Sequence, residues 1–397
     1  MSGRSDPSTA AARAGLGHDR SGAGADLVAP ITVASVRAYA DLEAVDAGME
    51  TREAYRRYGG GSPALLEDCL AELETPAGAA PALCRVTSSG QAALLLATLL
   101  VVTPARRRIV LVRPAYGATE GLLTGPLGAL GVQLSTVDLP PSGDADAGEL
   151  VGPVLGADVA AVVTEVITNP LMTLVDVPAV AAAAHGAGAA SVVDGTFATP
   201  LLFRGFDHGA DLVFHSLTKH LSGHSDVLGG ALLVSADRPA ADWLDAFARL
   251  AGCNLGPFDA WLALRGVRTA ALRLERSSEN AAALAEWFAP RPDVVAVHYP
   301  GRHSPAEERL AQRLLPRGRG AMLGVELRDV GDPAGQVGAE VGVADAVLAP
   351  GAVPQAVVQG RLEGVEGVPR DVRAVVEHRA INLQRRLRLA CARVERR

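Results

Sequence analysis

The chain almost lacks lysine. Lys219 is the one lysine among 37 Lys and Arg residues, and all the others are arginine. Either residue type serves a surface salt bridge, so a general preference for arginine does not affect that role. A guanidinium, however, stays protonated and cannot form an imine, whereas a lysine amine can lose its proton and act as a nucleophile or base. The single retained lysine therefore indicates amine chemistry at this position.

Other absences exclude several classes of protein. The four cysteines are far apart and show no metal-ligand or disulfide-framework spacing, so we predict reduced thiols and no metal site. A net charge of −7 gives no electrostatic basis for binding nucleic acid or an anionic membrane surface. The N-terminal region lacks the apolar segment of a secretory signal, and no apolar run is long enough to span a bilayer. We expect a cytoplasmic protein.

Short apolar segments alternate with helical ones from about residue 62. Strands are predicted at 109–112, 132–137, 159–163, 191–193, 212–214 and 228–234. Helices are predicted at 64–73, 90–102 and 178–185. This alternation predicts an α/β fold with a mostly parallel sheet between helices, in which ligands bind at the carboxyl ends of the strands.

The character of the sequence changes after Pro257. Long helical segments rich in Arg, Glu and Ala cover 259–288, and strand-like segments follow at 294–298 and 321–327. We therefore predict an N-terminal tail and arm over 1–61, a large domain over 62–256, and a smaller α+β C-terminal domain over 257–397.

Polar residues follow four of the predicted strands. They are Tyr116, Asn169, Asp194 and the segment Ser216–Lys219. Because the carboxyl ends of parallel strands meet at one edge of a sheet, we expect these groups to lie on the same edge.

Several of these groups suit one cofactor. Ser88-Ser89-Gly90 opens a predicted helix, where free backbone N–H groups and small side chains suit a phosphate, although such residues also serve as simple N-caps. Ser216 and Thr218 could add hydroxyls to the phosphate. Asp194 could pair with a protonated ring nitrogen, and Tyr116 could stack on an aromatic ring. With the single amine, these groups describe a pocket for pyridoxal phosphate.

The segment from His215 to Gly230 resembles the cofactor-lysine signature of the Cys/Met-metabolism pyridoxal-phosphate enzymes. That family includes cystathionine γ-synthase, cystathionine γ-lyase, methionine γ-lyase and O-acyl-homoserine sulfhydrylases. Four further segments resemble its Ser-Ser-Gly-Met-Ala, Tyr-Gly-Gly-Thr, Thr-Asn-Pro and Asp-Asn-Thr-Phe-Ala-Thr-Pro motifs. They are Ser88–Ala92, Tyr116–Thr119, Thr168–Pro170 and Asp194–Pro200, and Pro257–Trp261 with Arg265-Gly266 continues the match. The resemblance extends over about residues 30 to 330 and implies the type I fold of pyridoxal-phosphate transferases.

The resemblance also implies residue roles. Lys219 binds the cofactor as a Schiff base and moves protons, Asp194 keeps the pyridine nitrogen protonated, and Tyr116 stacks on the ring and acts as an acid or base. The other implied cofactor contacts are Ser89, Gly90, Gln91, Ser216 and Thr218 at the phosphate, Asn169 at the phenolic oxygen, and Thr196. His220 and His224 belong to the signature as packing or hydrogen-bonding residues rather than as general bases.

Tyr55 and Arg57 resemble the family's Tyr-x-Arg pair, which reaches the phosphate of a neighbouring subunit. This implies a homotetramer built as a dimer of dimers, with an N-terminal arm that contacts the neighbour and active sites shared between subunits. The alternative is that this segment forms a solvated turn before a glycine run.

The chain departs from the family in three places. Gly59–Pro63 replaces the usual Asn-Pro-Thr, and Ala118 stands where methionine γ-lyases carry cysteine, which argues against that activity. The Ser-Leu-Gly segment that helps seat the substrate α-carboxylate has no counterpart, and Val347–Gly351 is nearest in position. Arg388 begins a segment resembling the family's Arg-Leu-Ser, so we predict that it clamps the α-carboxylate, with a surface arginine as the alternative.

The resemblance implies γ-replacement or γ-elimination on a homoserine- or cysteine-derived amino acid, and the altered C-terminal region leaves an unusual substrate open. β-Elimination from a cysteine derivative is one alternative. A non-catalytic partner subunit is another, opposed by the retention of Lys219, Asp194 and Tyr116. The signature disfavours an aminotransferase or decarboxylase.

Overall fold

The computed structural model describes residues 6–15, 27–140, 142–143, 145–292 and 294–327, and the strand segments 341–347 and 355–356. By their contacts the residues divide into two compact units. Unit 1 comprises Met1–Pro140, Ala145–Thr168 and Val175–Leu272, and unit 2 comprises Pro141–Asp144, Asn169–Leu174 and Arg273–Arg397. The division into three regions at 61 and 256 stays a prediction.

Unit 1 is built on a seven-stranded sheet. Its strands are β1 (Leu83–Thr87), β2 (Arg108–Arg113), β3 (Gln133–Asp138), β4 (Val159–Glu165), β5 (Ala190–Asp194), β6 (Leu212–Ser216) and β7 (Gly230–Val234). Their order across the sheet is β1-β7-β6-β5-β4-β2-β3. The five strands from β6 to β3 are parallel, and β7 runs antiparallel to both β6 and β1. The predicted α/β fold with a mostly parallel sheet is confirmed.

Helices accompany this sheet along the chain. They are α1 (Pro7–Ala12), α2 (Leu42–Glu50), α3 (Gly61–Glu74), α4 (Gly90–Val101), α5 (Gly117–Thr124), α6 (Pro126–Ala129), α7 (Ala147–Val151), α8 (Val177–Gly186), α9 (Thr199–Leu202), α10 (Ala240–Ala251) and α11 (Pro257–Val267). Helix α4 is apolar on most of its surface, as expected for a helix buried on all sides. Its residues Leu94 and Leu96 share one buried core with Leu111 of β2 and Phe214 of β6.

Six strands of unit 1 direct their carboxyl ends to one edge of the sheet. Ser216 at the end of β6 pairs with Gly230 at the start of β7, and Thr87 at the end of β1 pairs with the same glycine. Glu165 and Asp194, at the ends of β4 and β5, pair with each other. This carboxyl edge is where the sequence predicts a ligand.

Unit 2 contains a four-stranded sheet whose described pairings are antiparallel. Its strands, in the order β11-β10-β9-β8, are β8 (Val294–His298), β9 (Met322–Leu327), β10 (Val341–Val347) and β11 (Gln355–Ala356). Helix α12 (Ala270–Phe288) begins in unit 1 and continues into unit 2, which also contains α13 (Pro305–Leu314). No helix in the described part of the chain is long and apolar enough to cross a membrane.

Candidate active site

The N-terminus of α4 forms an anion site at the carboxyl edge. Ser89 caps the helix, because its hydroxyl accepts a hydrogen bond from the N–H of Ala92 at 3.1 Å. The N–H groups of Gly90 and Gln91 lie in the first turn, where a helix provides no carbonyl partner and its dipole favours an anion. A Cβ on Gly230 would lie 2.2 Å from the carbonyl oxygen of Ser89, so only glycine allows this approach. The residues predicted to hold a phosphate therefore sit at a well-formed helix start.

The lysine segment passes directly beside this helix start. A Cβ on Gly90 would lie 3.0 Å from the Cβ of Ser216, so the two segments are in contact. The hydroxyl of Thr218 accepts from the N–H of Gly229 at 3.1 Å and donates to its carbonyl at 3.3 Å. The backbone N–H of Lys219 donates to the carbonyl of Ser216 at 3.3 Å, and the Lys219 side chain is exposed. The turn thus places the backbone of the lysine segment next to the start of α4.

Asp194 lies on the neighbouring strand and is tied to the same segment through Thr196. The N–H of Thr196 donates to a carboxylate oxygen of Asp194 at 2.8 Å, and its hydroxyl accepts from the N–H of Ser216 at 2.9 Å. Burial raises the pKa of Asp194, and the Thr196 hydrogen bonds and the charge of His215 oppose that rise only in part. A cation at this carboxylate, such as a protonated pyridine nitrogen, would compensate for the lost hydration.

Tyr116 lies between the carboxyl end of β2 and the start of α5. Its backbone N–H donates to the carboxylate of Glu165 at 2.7 Å, and Glu165 is the strand partner of Asp194. The Tyr116 side chain is 49% exposed, so its ring can meet a ligand at this edge. The structure therefore brings Tyr116, Asp194 and the lysine segment to one edge, as the sequence predicted.

Tyr55 and Arg57 lie in a segment that packs against other residues of unit 1. The carbonyl of Arg57 accepts from the side-chain amide of Asn254 at 2.7 Å, and Asn254 forms a bridge with Thr87 at the end of β1. The guanidinium of Arg57 donates to the carbonyl of Arg249 and lies 5.2 Å from the centre of the Tyr55 ring. The predicted contact with a neighbouring subunit stays a prediction.

Two predicted site residues, Asn169 and Arg388, are not among the described residues of unit 1. Asn169 belongs to unit 2, and its role stays a prediction. Arg388 lies outside the described residues, as do residues 348–351 of the altered substrate-carboxylate region.

Sequence reasoning gave no role to a buried histidine–carboxylate pair beside the Asp194 segment. Glu74 and His215 are both fully buried, with 2.8 Å between the carboxylate and Nε2 of the ring. The second carboxylate oxygen of Glu74 accepts from the N–H of Gly205 at 3.0 Å. The available signal was the position of Glu67 and Glu74, seven residues apart on the buried face of α3 that carries Leu70.

Comparison with known proteins decides the family. The family profile described as Cys/Met metabolism PLP-dependent enzyme matches residues 8–353. The chain belongs to this family. Its relatives include the cystathionine γ-synthase of Mycobacterium tuberculosis, 37% identical over 326 residues that make up 82% of this chain and 79% of that protein. The L-methionine γ-lyase of Pseudomonas deceptionensis is 35% identical over 315 residues, 78% of this chain and 75% of that protein.

Solved structures agree with this assignment. The cystathionine γ-synthase of Xanthomonas oryzae pv. oryzae, crystallised with cystathionine, superimposes with a TM-score of 0.71 at 35% identity, covering 83% of this chain and 79% of that one. The resemblance stated from the sequence, the type I fold and the dependence on pyridoxal phosphate are therefore confirmed. The residues of the carboxyl edge fit this cofactor, because they combine a helix start suited to an anion, a half-buried carboxylate with a raised pKa, and one amine.

Proposed function

We propose that this protein catalyses γ-replacement or γ-elimination on a homoserine- or cysteine-derived amino acid. The observation that carries the proposal is the carboxyl edge, where the single lysine, a half-buried carboxylate and a helix N-terminus lie together. Relatives named cystathionine γ-synthase, cystathionine γ-lyase and L-methionine γ-lyase support this chemistry.

Each residue then has a defined task. The phosphate is held by Ser89, Gly90, Gln91, Ser216 and Thr218. Asp194, oriented by Thr196, keeps a proton on the ring nitrogen, and Tyr116 stacks on the ring. When bound, pyridoxal phosphate supplies an electron sink for the substrate α-carbon. Lys219 binds the cofactor aldehyde, and its freed amine removes and returns protons at the substrate carbons.

Further residues outside the carboxyl edge are proposed to contact the cofactor and the substrate. Asn169 contacts the phenolic oxygen of the cofactor, and Arg388 clamps the substrate α-carboxylate. Tyr55 and Arg57 reach the phosphate site of a second copy, so the active form is a homo-oligomer, a dimer of dimers, located in the cytoplasm. This assembly requires Arg57 to give up its present contact with the carbonyl of Arg249.

β-Elimination on a cysteine derivative is the second candidate. The cystathionine β-lyase of Coxiella burnetii is 39% identical over 161 residues, but these make up only 41% of this chain and 41% of that protein. Relatives of γ-type match over a larger share of the chain, so γ-chemistry is the better supported of the two.

The proposal is tested by recording the visible spectrum of the holoenzyme during additions of single substrates. O-acetyl-, O-succinyl- and O-phosphohomoserine, cystathionine, methionine and cysteine are added in turn, with and without a thiol. A homoserine ester that changes the cofactor spectrum and yields a thioether with the thiol, or an oxo acid without it, supports the proposal. Turnover of cysteine derivatives alone would replace it by β-elimination. A bound cofactor that responds to none of them contradicts the proposal.

A further inference from the structure

Gly195 stands where the family motif quoted above has asparagine. A Cβ at this position would lie 2.5 Å from Cε1 and 3.0 Å from Nδ1 of His215. His215 is fully buried, so its ring has little freedom to move away. In this chain the imidazole therefore packs directly on the backbone that follows Asp194, in space that an asparagine side chain would need.

Glu74 fixes the opposite side of the same ring. Its carboxylate holds Nε2 of His215 at 2.8 Å and also accepts the N–H of Gly205. A carboxylate without solvent contact needs hydrogen-bond partners, and Nε2 of His215 and the N–H of Gly205 occupy its two oxygens. Glu74 thus fixes one side of the imidazole, and the other side faces the Asp194 segment.

Nδ1 of His215, on the side of the Asp194 segment, does not contact Glu74. Nδ1 of His215 is buried and has no hydrogen-bond partner within the described part of the chain. Buried polar atoms are nearly always paired, and an exception requires a physical reason. The charge of His215 acts on the carboxylate of Asp194 and favours its ionised form. Three titratable groups from three elements therefore meet here: Glu74 from α3, His215 from β6 and Asp194 from β5.

We propose that Glu74 and His215 are positioning residues that keep the carboxylate of Asp194 ionised, so that it holds a proton on the cofactor ring nitrogen. The inference rests on the proposed role of Asp194 and deepens it. Glu74 holds the imidazole in place, and His215 offsets the loss of hydration at Asp194. Gly195 makes this approach sterically allowed.

The test compares three variants, Glu74→Gln, His215→Asn and Gly195→Ala, with the parent protein. Two quantities are measured: the dissociation constant for pyridoxal phosphate, and the NMR shift of the isotope-labelled ring nitrogen of the bound cofactor. We expect the dissociation constant to rise roughly tenfold or more in Glu74→Gln and His215→Asn, because a nearby opposite charge changes a carboxyl ionisation equilibrium by about that factor. The nitrogen shift should move towards that of unprotonated pyridine. Gly195→Ala should change both quantities in the same direction, by displacing the ring.

A matched control comes from another histidine–carboxylate pair of unit 1. Nε2 of His185 lies 2.9 Å from the carboxylate of Asp211, which also accepts from the N–H of Ser191 at 2.7 Å. His185→Asn should lower the unfolding temperature without changing the cofactor affinity or the nitrogen shift. If Glu74→Gln and His215→Asn behave like this control, the pair is purely structural and the inference is wrong. No substrate enters this experiment, so a failure of the proposed γ-chemistry would be seen separately in the substrate additions.

Discussion

The two units each bury histidine–carboxylate contacts, but they connect them differently. In unit 1 the contacts are separate pairs, Glu74 with His215 and Asp211 with His185. Unit 2 has a continuous network, in which Nε2 of His298 lies 2.8 Å from the carboxylate of Glu326 and Nδ1 of His298 lies 3.2 Å from Nε2 of His303. The network ends at the fully buried Glu307, whose carboxylate lies 2.7 Å from Nδ1 of His303.

The number of paired ring nitrogens shows what the difference means. In unit 2 each outer ring nitrogen pairs with a carboxylate, and the two inner nitrogens pair with each other. All four ring nitrogens are then paired, so the network is closed and stabilises a single arrangement. In unit 1 one nitrogen of His215, beside the Asp194 segment, has no partner among the described residues. A closed network stabilises the fold, whereas the role proposed for Glu74 and His215 depends on this open position next to Asp194.

Glu307 shows how fully unit 2 uses its buried charge. Its carboxylate accepts the backbone N–H groups of Leu174, Gly301 and His303 at 2.8, 3.1 and 3.0 Å, in addition to the His303 ring. These hydrogen bonds satisfy the buried carboxylate and fix the turn that precedes α13. Changes to Glu74 and His215 should therefore alter cofactor binding, and changes to this network of unit 2 should alter stability.

The largest effect is expected for Lys219→Arg. The variant keeps the positive charge but contains no lysine, because Lys219 is the one lysine of the chain. Turnover should fall by at least roughly 10³-fold, since both the covalent link to the cofactor and the proton transfer need an amine. Borohydride reduction followed by mass spectrometry should label the parent at this residue and leave the variant unlabelled. In the double variant Lys219→Arg/Arg276→Lys the chain again contains a lysine, at an exposed position, and recovery of activity there would contradict the proposed role.

Asp194→Asn should separate catalysis from stability within unit 1. Breaking a buried charge pair with the ring nitrogen costs about 3 kcal/mol, so turnover should fall roughly 10²-fold. The ligand-free variant should nevertheless be as stable as the parent or more so at about pH 7, since an amide carries no ionisation cost.

The sign of the pH dependence follows from the raised pKa of Asp194. Because burial raises it above the ordinary value of 3.8, the stability contributed by the protonated carboxyl is fully present below that value and is lost as the pH rises through the folded-state pKa. Thermal unfolding of the ligand-free proteins from about pH 4 upwards should show the parent losing stability relative to Asp194→Asn. Parallel curves would contradict this account.

Glu307→Gln is the corresponding change in unit 2. An amide nitrogen in place of one carboxylate oxygen opposes a backbone donor or the His303 ring, so the free energy of unfolding should fall by about 3 kcal/mol. The affinity for pyridoxal phosphate should not change. Glu308→Gln is the matched control, because that side chain is partly exposed and its ion pair with Arg319 should contribute less than about 1 kcal/mol. Denaturant unfolding monitors both, and equal effects would show that burial of Glu307 is not the decisive factor.

Local patterns predicted most strands of unit 1 but not β1. The segments 109–112, 159–163 and 212–214 are apolar and lie within β2, β4 and β6. In β1, Arg85 interrupts the apolar run, although it is buried by ion pairs with Glu67 and Asp245. Those partners lie 18 and 160 residues away along the chain, so nothing in the local sequence indicates a strand there. The antiparallel direction of β7 is likewise not encoded in its own residues.

In the candidate site, too, local sequence predicts some features, and others depend on residues far apart in the chain. Residues such as Asp194 and Lys219 follow predicted strands, and parallel topology brings strand ends together, so the sequence was enough to group them. The pair of Glu74 and His215 joins residues 141 positions apart. Its existence depends on how α3 packs against the sheet, which no local periodicity specifies.

The smallest expected effects compare two serine caps, one in each unit. Ser89 caps α4 through the N–H of Ala92, and Ser304 caps α13 through the N–H of Glu307, each at 3.1 Å. Replacing either serine by alanine should cost about 1 kcal/mol of stability, because one N–H group loses its acceptor. Ser89→Ala should also weaken pyridoxal phosphate binding, since the same residue is proposed to contact the phosphate, whereas Ser304→Ala should not. Equal cofactor affinities in the two variants would mean that Ser89 acts only as a cap and that backbone N–H groups alone hold the phosphate.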